Sequence, residues 1–238
     1  MLKKTHFMVF KTRNKKMPPV YDPIVIGNEE IKRVECTKFL GVYIDERLSW
    51  NNHVKSVKNK LSKGAGIMYK LRPYLNKETL LTVYYSFVYP YLYYGVIAWG
   101  NTYDSLLHSV NVVHKRIIRI MASARKFDHT SPLFRHFKLL TLNQIYTLNC
   151  SVFMFKRRYR LLPECFDNMY TLNRSLHPYN TLLSNLFHHY KWNLDIMRRS
   201  IRVQGVLIWN KVASLVDTEC SIPVFKHKIK HLLFNQEI

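Results

Sequence analysis

Lysines and arginines set among aromatic side chains are the residues here whose types and spacing could do chemistry. That chemistry is the holding of phosphates. Between Glu46 and Glu78 there is no acid, while Arg47, Lys55, Lys58, Lys60, Lys63, Lys70, Arg72 and Lys77 all fall there. Phe39, Trp50, Tyr69 and Tyr74 lie among or beside them. Cations that neutralise phosphates, with aromatic faces on which bases stack, are how nucleic-acid strands are held. A second acid-free run separates Asp128 from Glu164 and carries Arg135, Lys138, Lys156, Arg157, Arg158 and Arg160. At helical spacing most aromatics are core, so Phe39 is taken as a contact, and Tyr69 and Tyr74 stay open between the two roles.

Other chemistries find less material. Two-metal phosphoryl transfer needs carboxylates grouped around a shared pair of ions. The chain has no Asp-Asp dipeptide, and its adjacent acids are Glu29-Glu30 and Asp45-Glu46. Both pairs read as turn or helix-entry charges. His227 and His231, four apart, share a helix face but have no evident third ligand, and His188-His189 sits in a polar stretch. Cys36, Cys150, Cys165 and Cys220 are scattered without C-x-x-C spacing, so neither a zinc knuckle nor a redox motif is signalled. No Ser/His/Asp, Cys/His or glycine-rich phosphate motif stands out. The sequence therefore assigns no catalytic residue, no metal ligand and no cofactor.

The totals agree with a binding role. Among 238 residues, 37 lysines and arginines face 15 acids, a formal charge of +22. That excess suits a polyanion, either nucleic acid or an anionic membrane surface. An apolar share of 47% is enough for a core and argues against wholesale disorder. Leu80 to Tyr103 is uncharged and long enough to span a bilayer. Its tyrosines are spread along it instead of gathering at two interfaces, and Pro90 interrupts it. It is read as a buried or partner-facing helix, with no membrane partner. No secretory signal is evident, so a reducing, intracellular setting in nucleus or cytoplasm is the default expectation.

Elements must position these residues. His6 to Phe10 reads as a strand, Lys11 to Lys16 as a basic turn and Pro18-Pro19 as a break. Ile24 to Ile26 and Ile31 to Val34 read as a hairpin around Gly27-Asn28. Thr37 to Ile44 reads as one strand with Gly41 in its middle, where glycine permits close backbone approach. Val54, Val57, Leu61, Ala65, Met68 and Leu71 recur at spacings of three and four, the mark of a helix with its lysines mostly off the apolar face. Further helices are expected over Lys77 to about Trp99 (kinked at Pro90), over Leu106 to Met121, and over Asn143 to Tyr159. Residues 162–200 read as a long loop with short helical pieces and a turn at His177-Pro178-Tyr179-Asn180. Ile201 to Trp209 reads as a strand or a strand-to-helix passage. Ser221 reads as the cap of a last helix built on Phe225, Ile229, Leu232 and Leu233.

The run Lys38-Phe39-Leu40-Gly41-Val42-Tyr43-Ile44-Asp45 closely resembles the end of the palm in reverse transcriptases of non-LTR, jockey-type retrotransposons. Other landmarks match in order. Lys4-Thr5 with Met8 and Phe10 resembles the strand after the catalytic turn. Tyr84-Tyr85-Ser86, Pro90, Tyr94-Gly95 and Trp99-Gly100 resemble the helix that follows. Lys115-Arg116 with Arg119 is similar to a Gln-Lys-Arg-x-x-Arg segment, with His114 where glutamine is usual. Ser131 to Phe134, Leu162-Pro163, His177 to Tyr179, Gly205 with Trp209-Asn210, and Phe225-Lys226 with Lys230 match later landmarks. Leu182 departs from the pattern, standing where an arginine is common.

The resemblance implies an α+β, mostly α chain. Residues 1–48 would be end-of-palm strands in a small antiparallel sheet. Residues 49–128 would be a helical thumb-like bundle, and 129–238 a mostly helical C-terminal region. Lys38, Phe39, Leu40 and Gly41 would be the primer grip, with Gly41 letting the strand approach the primer backbone. Lys55, Lys58, Lys63, Lys70 and Arg72, with Lys115, Arg116 and Arg119, would hold an RNA–DNA or DNA template–primer duplex by its phosphates. The fingers and palm carrying the catalytic carboxylates would be supplied upstream, and Mg2+ is expected only in the complete polymerase. This chain alone is then expected to bind and not polymerise. The alternatives are a standalone basic nucleic-acid-binding protein and a membrane-associated protein using residues 80–100.

Overall fold

A computed structural model describes residues 5–12, 23–176 and 184–235. Most of the expected basic turn, from Arg13 to Lys16, lies outside the described residues, as do Pro18-Pro19, His177 to Asn180, Lys4 and Leu182. The described residues are 57% helical and 8% strand, with their strands near the N-terminus. It divides into two compact units, Met1–Ser56 and Val57–Ile238.

The first unit is built of three two-stranded ladders among the described residues. β1 (His6–Phe7) pairs in parallel with β4 (Lys32–Arg33), while β2 (Val25–Ile26) pairs antiparallel with β3 (Glu29–Glu30). The hairpin at Gly27-Asn28 forms as expected, with Gly27 at φ 63°. Its return arm is Glu29–Glu30 and not Ile31 to Val34, because a two-residue turn returns the chain at once. A larger correction concerns Thr37 to Ile44. It is not one strand but a hairpin, β5 (Cys36–Phe39) against β6 (Val42–Asp45), with Phe39 opposite Val42. Leu40 and Gly41 form the two-residue turn, both at positive φ (45° and 84°). That is the I′-like arrangement whose twist matches the flanking strands. Gly41 is thus at a hairpin tip, where its freedom serves the turn.

Among the described residues, Ile31 and Val54 are the buried apolar side chains of this unit, and Val25, Ile26 and Leu40 are exposed. With so thin a core, polar groups carry much of its order. Buried Glu46 receives Lys11 at 2.7 Å and Arg33 at 3.1 Å. The Lys11 hydrogen bond, with the charges of both cations, lowers its carboxyl pKa below the ordinary value against the opposing effect of burial. Asp45 accepts from the amides of Arg47, Ser49 and Trp50 at 3.0–3.1 Å and from the Ser49 hydroxyl. Those bonds hold Leu48 and Trp50 at positive φ, where L-residues are disfavoured, and set the entry to the first helix. The Asp45-Glu46 pair is structural.

Helix α1 (Asn51–Leu71) crosses the boundary between units. Its apolar positions Val54, Val57, Leu61, Ala65 and Met68 are buried, as their spacing requires. Within the second unit, α2 (Lys77–Phe87) is capped by Asn76, whose side chain accepts from the Thr79 amide at 2.9 Å. A Cβ on Gly64 would stand 3.2 Å from the Phe87 carbonyl oxygen, so α1 and the end of α2 approach closely there. The expected helix through Trp99 is instead three pieces: α2, α3 (Tyr89–Tyr93) and α4 (Val96–Trp99). Pro90 opens α3 and does not kink it, since proline suits a first helical turn. Gly95 at φ 62° makes the second break. No helix of the described residues is long and apolar enough to cross a membrane.

α5 (Asp104–Met121) follows, and then α6 (Ser131–His136), where a loop was expected and Pro132 again sits in the first turn. α7 (Leu142–Arg158) opens on a full capping box between Thr141 and Gln144. Gln144 also donates to the Leu233 carbonyl at 2.6 Å, tying α7 to α10 (Ile222–Asn235). Beyond short 3-10 turns at Glu164–Met169 and Asn173–Ser175 come α8 (Asp195–Arg199) and α9 (Ile201–Ala213). α9 corrects the expected strand or strand-to-helix passage, being helix from Ile201 onward: Val203, Val206, Trp209 and Val212 lie buried on one helical face. α7 packs against α3, α4, α9 and α10, and its Phe155 meets Trp209 and Phe225.

Two landmark residues have structural work. The Asn210 amide receives the Phe187 N–H at 3.1 Å and donates to its carbonyl at 2.8 Å, pinning the preceding loop to α9. A Cβ on Gly205 would meet Met154 Sδ at 2.9 Å and Ile201 Cδ1 at 3.1 Å, so glycine permits the α7–α9 crossing. Gly205→Val overpacks that crossing, which costs roughly 1–3 kcal/mol. A thermal melt of the variant is expected to fall by about 2–4 °C per kcal/mol for a chain of this size. An unchanged melt would show that the crossing is not tight.

Candidate nucleic-acid interface

The residues expected to touch nucleic acid fall on three elements. At the tip of the β5–β6 hairpin, Lys38, Phe39, Leu40 and Gly41 are all exposed or nearly so, Phe39 at 60% and Leu40 at 74%. Lys38 lies across from Tyr43, its ammonium 5.9 Å from the ring centroid. An apolar pair on a turn tip is a poor surface for water and a good one for a flat partner.

On α1, Lys55, Lys58, Lys63 and Lys70 are all exposed; Lys55, Lys63 and Lys70 point away from the buried stripe and Lys58 lies on its flank. No acid occurs anywhere on this 21-residue helix. From Lys55 to Lys70 the cations extend roughly 22 Å along the axis at 1.5 Å per residue. Tyr69 is 63% exposed, and Arg72 lies 5.8 Å from its ring centroid. Tyr74 is 84% exposed, so neither tyrosine is core. Two members of this surface were not among the expected contacts, although Lys60 belongs to the acid-free run. Exposed Lys60 lies over Tyr91 at 4.9 Å, a contact that only the α1–α3 packing creates. Gly66 lies three residues after Lys63 and four before Lys70, and a Cβ there would meet nothing within 4 Å. A helix-interior glycine costs up to about 1 kcal/mol relative to alanine, and no packing among the described residues requires this one. Its spacing from two lysines was the available signal.

On α5, Lys115 and Arg116 are exposed. Arg119 differs: its Nε donates to the Asp128 carbonyl at 2.9 Å, and the Asp128 carboxylate accepts from the Arg125 amide, so Arg119 braces the following loop. His114, beside them in sequence, is buried in the core. It shares a 2.8 Å hydrogen bond with the Tyr84 hydroxyl and meets the Phe134 ring edge-on. Burial drives its pKa down to about 3, and drives that of Tyr84 well up, so both are neutral.

Among the described residues, no three of His, Cys, Asp or Glu gather as a metal ion would require. Cys150 is buried and its thiol is pushed up to about 12 by that burial, which makes it unreactive.

Over about half its length the chain is similar to RNA-directed DNA polymerases of mobile elements. It is 27% identical over 142 residues to the probable RNA-directed DNA polymerase from transposon X-element of Drosophila melanogaster, a match covering 58% of this chain and 15% of that protein. It is 26% identical over 136 residues to the probable RNA-directed DNA polymerase from transposon BS of the same fly, covering 55% of this chain and 15% of the relative. It is 23% identical over 120 residues to the RNA-directed DNA polymerase from mobile element jockey, also of D. melanogaster, covering 49% of this chain and 13% of that protein. The chain thus spans only about a seventh of the length of the curated relatives it matches. No family model matches the chain, and no solved structure matches it.

Proposed function

We propose that this chain is the part of a retrotransposon reverse transcriptase that follows the catalytic turn, and that it holds the template–primer duplex. The observation that carries the reading is the acid-free, exposed lysine face of α1. Phosphate contacts of this kind set position and register without reading sequence. The exposed Phe39-Leu40 tip then meets the primer end, and Lys115 and Arg116 add cationic surface on α5. Similarity to the mobile-element polymerases supports the assignment. The upstream fingers and palm supply the metal-binding carboxylates and Mg2+, and this chain alone does not extend a primer. Because Gly41 closes a turn at φ 84°, a valine there would break the hairpin itself; Phe39→Ala is the cleaner test of the tip.

Lysine modification tests the surface directly. With an RNA–DNA duplex bound, Lys55, Lys58, Lys63 and Lys70 are expected to be protected from acetylation, while Lys211 and Lys226, on α9 and α10, stay reactive. Protection confined to α9 and α10 would move the interface. Gly66 gives a second test. Gly66→Ala is expected to stabilise the chain by up to about 1 kcal/mol through helix propensity alone. It should also weaken duplex binding, because the added methyl stands where the strand comes nearest the helix. A variant gaining both stability and affinity would remove Gly66 from the interface.

A further inference from the structure

The lysine face of α1 runs into two open aromatic rings. Tyr69, in the last turn of α1, is 63% exposed, and Tyr74, on the connector to α2, is 84% exposed. The connector is tied at both ends. The Arg72 amide donates to the Met68 carbonyl at 2.9 Å, the Tyr74 amide donates to the Leu71 carbonyl at 3.0 Å, and Asn76 caps α2. Tyr69 is also in line with the cations. It follows Lys58 by eleven residues, which is three helical turns plus about 20° around the axis and roughly 16 Å along it. Ser62 lies between them on that side, its hydroxyl turned back to the Lys58 carbonyl at 2.9 Å. Beside the rings, Lys70 is exposed and Arg72 stands 5.8 Å from the Tyr69 centroid. No acid between Glu46 and Glu78 opposes them. Cations beside open aromatic faces hold unpaired nucleotides, whose phosphates meet the charges while their bases stack on the rings. The side of a paired duplex offers no free base face, so rings in this position serve nucleotides that have left the duplex.

We propose that Tyr69 and Tyr74 form a base-stacking station for unpaired nucleotides, so that the ligand of this face is a duplex continued by a single-stranded overhang. The proposal rests on the reading that the α1 lysines hold the duplex, and adds the strand that runs off it. Lys70 and Arg72 meet the overhang phosphates. The rings accept any base, since every base has a face to stack.

Fluorescence anisotropy on the full chain tests the station with a blunt RNA–DNA duplex, the same duplex carrying a short overhang, that overhang built of abasic sugars, and the overhang strand alone. The natural overhang is expected to tighten binding by about fivefold or more per stacked base. The abasic overhang keeps the phosphates and is expected to lose that gain; this comparison uses wild-type protein and holds whether or not any variant folds. Tyr69→Leu with Tyr74→Leu is expected to abolish the gain and leave blunt-duplex affinity and its salt slope unchanged, while Tyr69→Phe with Tyr74→Phe keeps the gain. No gain from the overhang, an equal gain from the abasic one, or a gain that survives in the leucine variant overturns the proposal. So does a wild-type dimer that the leucines dissociate, because the rings then belong to a second copy of the chain. If the blunt duplex does not bind at all, but the strand alone binds wild type and not the leucine variant, the lysine-face reading fails and the tyrosine station stands.

Discussion

Acidification from pH 6.5 towards 3 is expected to strip the helical unit of stability through one residue, His114. Its ring is 1% exposed, bonded to Tyr84, and carries a pKa lowered from 6.5 to about 3 by burial. In the unfolded chain it protonates near 6.5, whereas in the folded chain it stays neutral until about 3. Between those values the unfolded state binds one more proton, so stability rises with pH and is lost as pH falls. The loss is roughly tenfold in the folded-to-unfolded ratio per pH unit, and on the order of 4–5 kcal/mol over the whole window. That is comparable with the whole stability of many domains. Urea titrations at several pH values measure it. His114→Gln keeps a hydrogen-bonding partner for Tyr84, does not titrate, and is expected to flatten this part of the dependence. Tyr84→Phe should lower stability by about 1–3 kcal/mol at neutral pH, having left a buried ring nitrogen unpaired, while keeping the slope. Equal slopes in wild type and His114→Gln would show that His114 is not held neutral.

His114 also shows what a sequence can and cannot disclose. Its place beside Lys115 and Arg116 was visible, but its burial was not, because Tyr84 and Phe134 reach it from other helices. The apolar stripe of α1 was legible, since Val54, Val57, Leu61, Ala65 and Met68 are buried and repeat with the helical period, while Leu71 at the helix end is half-buried. The β5–β6 hairpin was not, because its turn is Leu40-Gly41 and lacks the Asn-Gly or Asp-Gly pair that signals such turns. Val, Ile and glycine made Ile201 to Trp209 look like a strand; packing against α7 overrides that propensity, and Gly205 serves the crossing. Prolines misled twice, at Pro90 and Pro132, by opening helices where a kink and a loop were expected. At the candidate interface the lysines were legible and their neighbours were not. Lys60 over Tyr91 exists only once separate segments are packed together.

The lysine face of α1 is the central claim, and salt dependence measures it most directly. Each phosphate contact on duplex DNA contributes roughly 0.9 to the slope of log affinity against log salt. The face offers about four to six such contacts by that rule, with little sequence preference. Lys58, Lys63 and Lys70 are exposed and make no ion pair among the described residues, so replacing all three by alanine leaves the fold intact. Binding of wild type and the triple variant to an RNA–DNA duplex, followed across a series of salt concentrations, is expected to give slopes differing by about two or more. Equal slopes would contradict the account and place the nucleic-acid surface elsewhere.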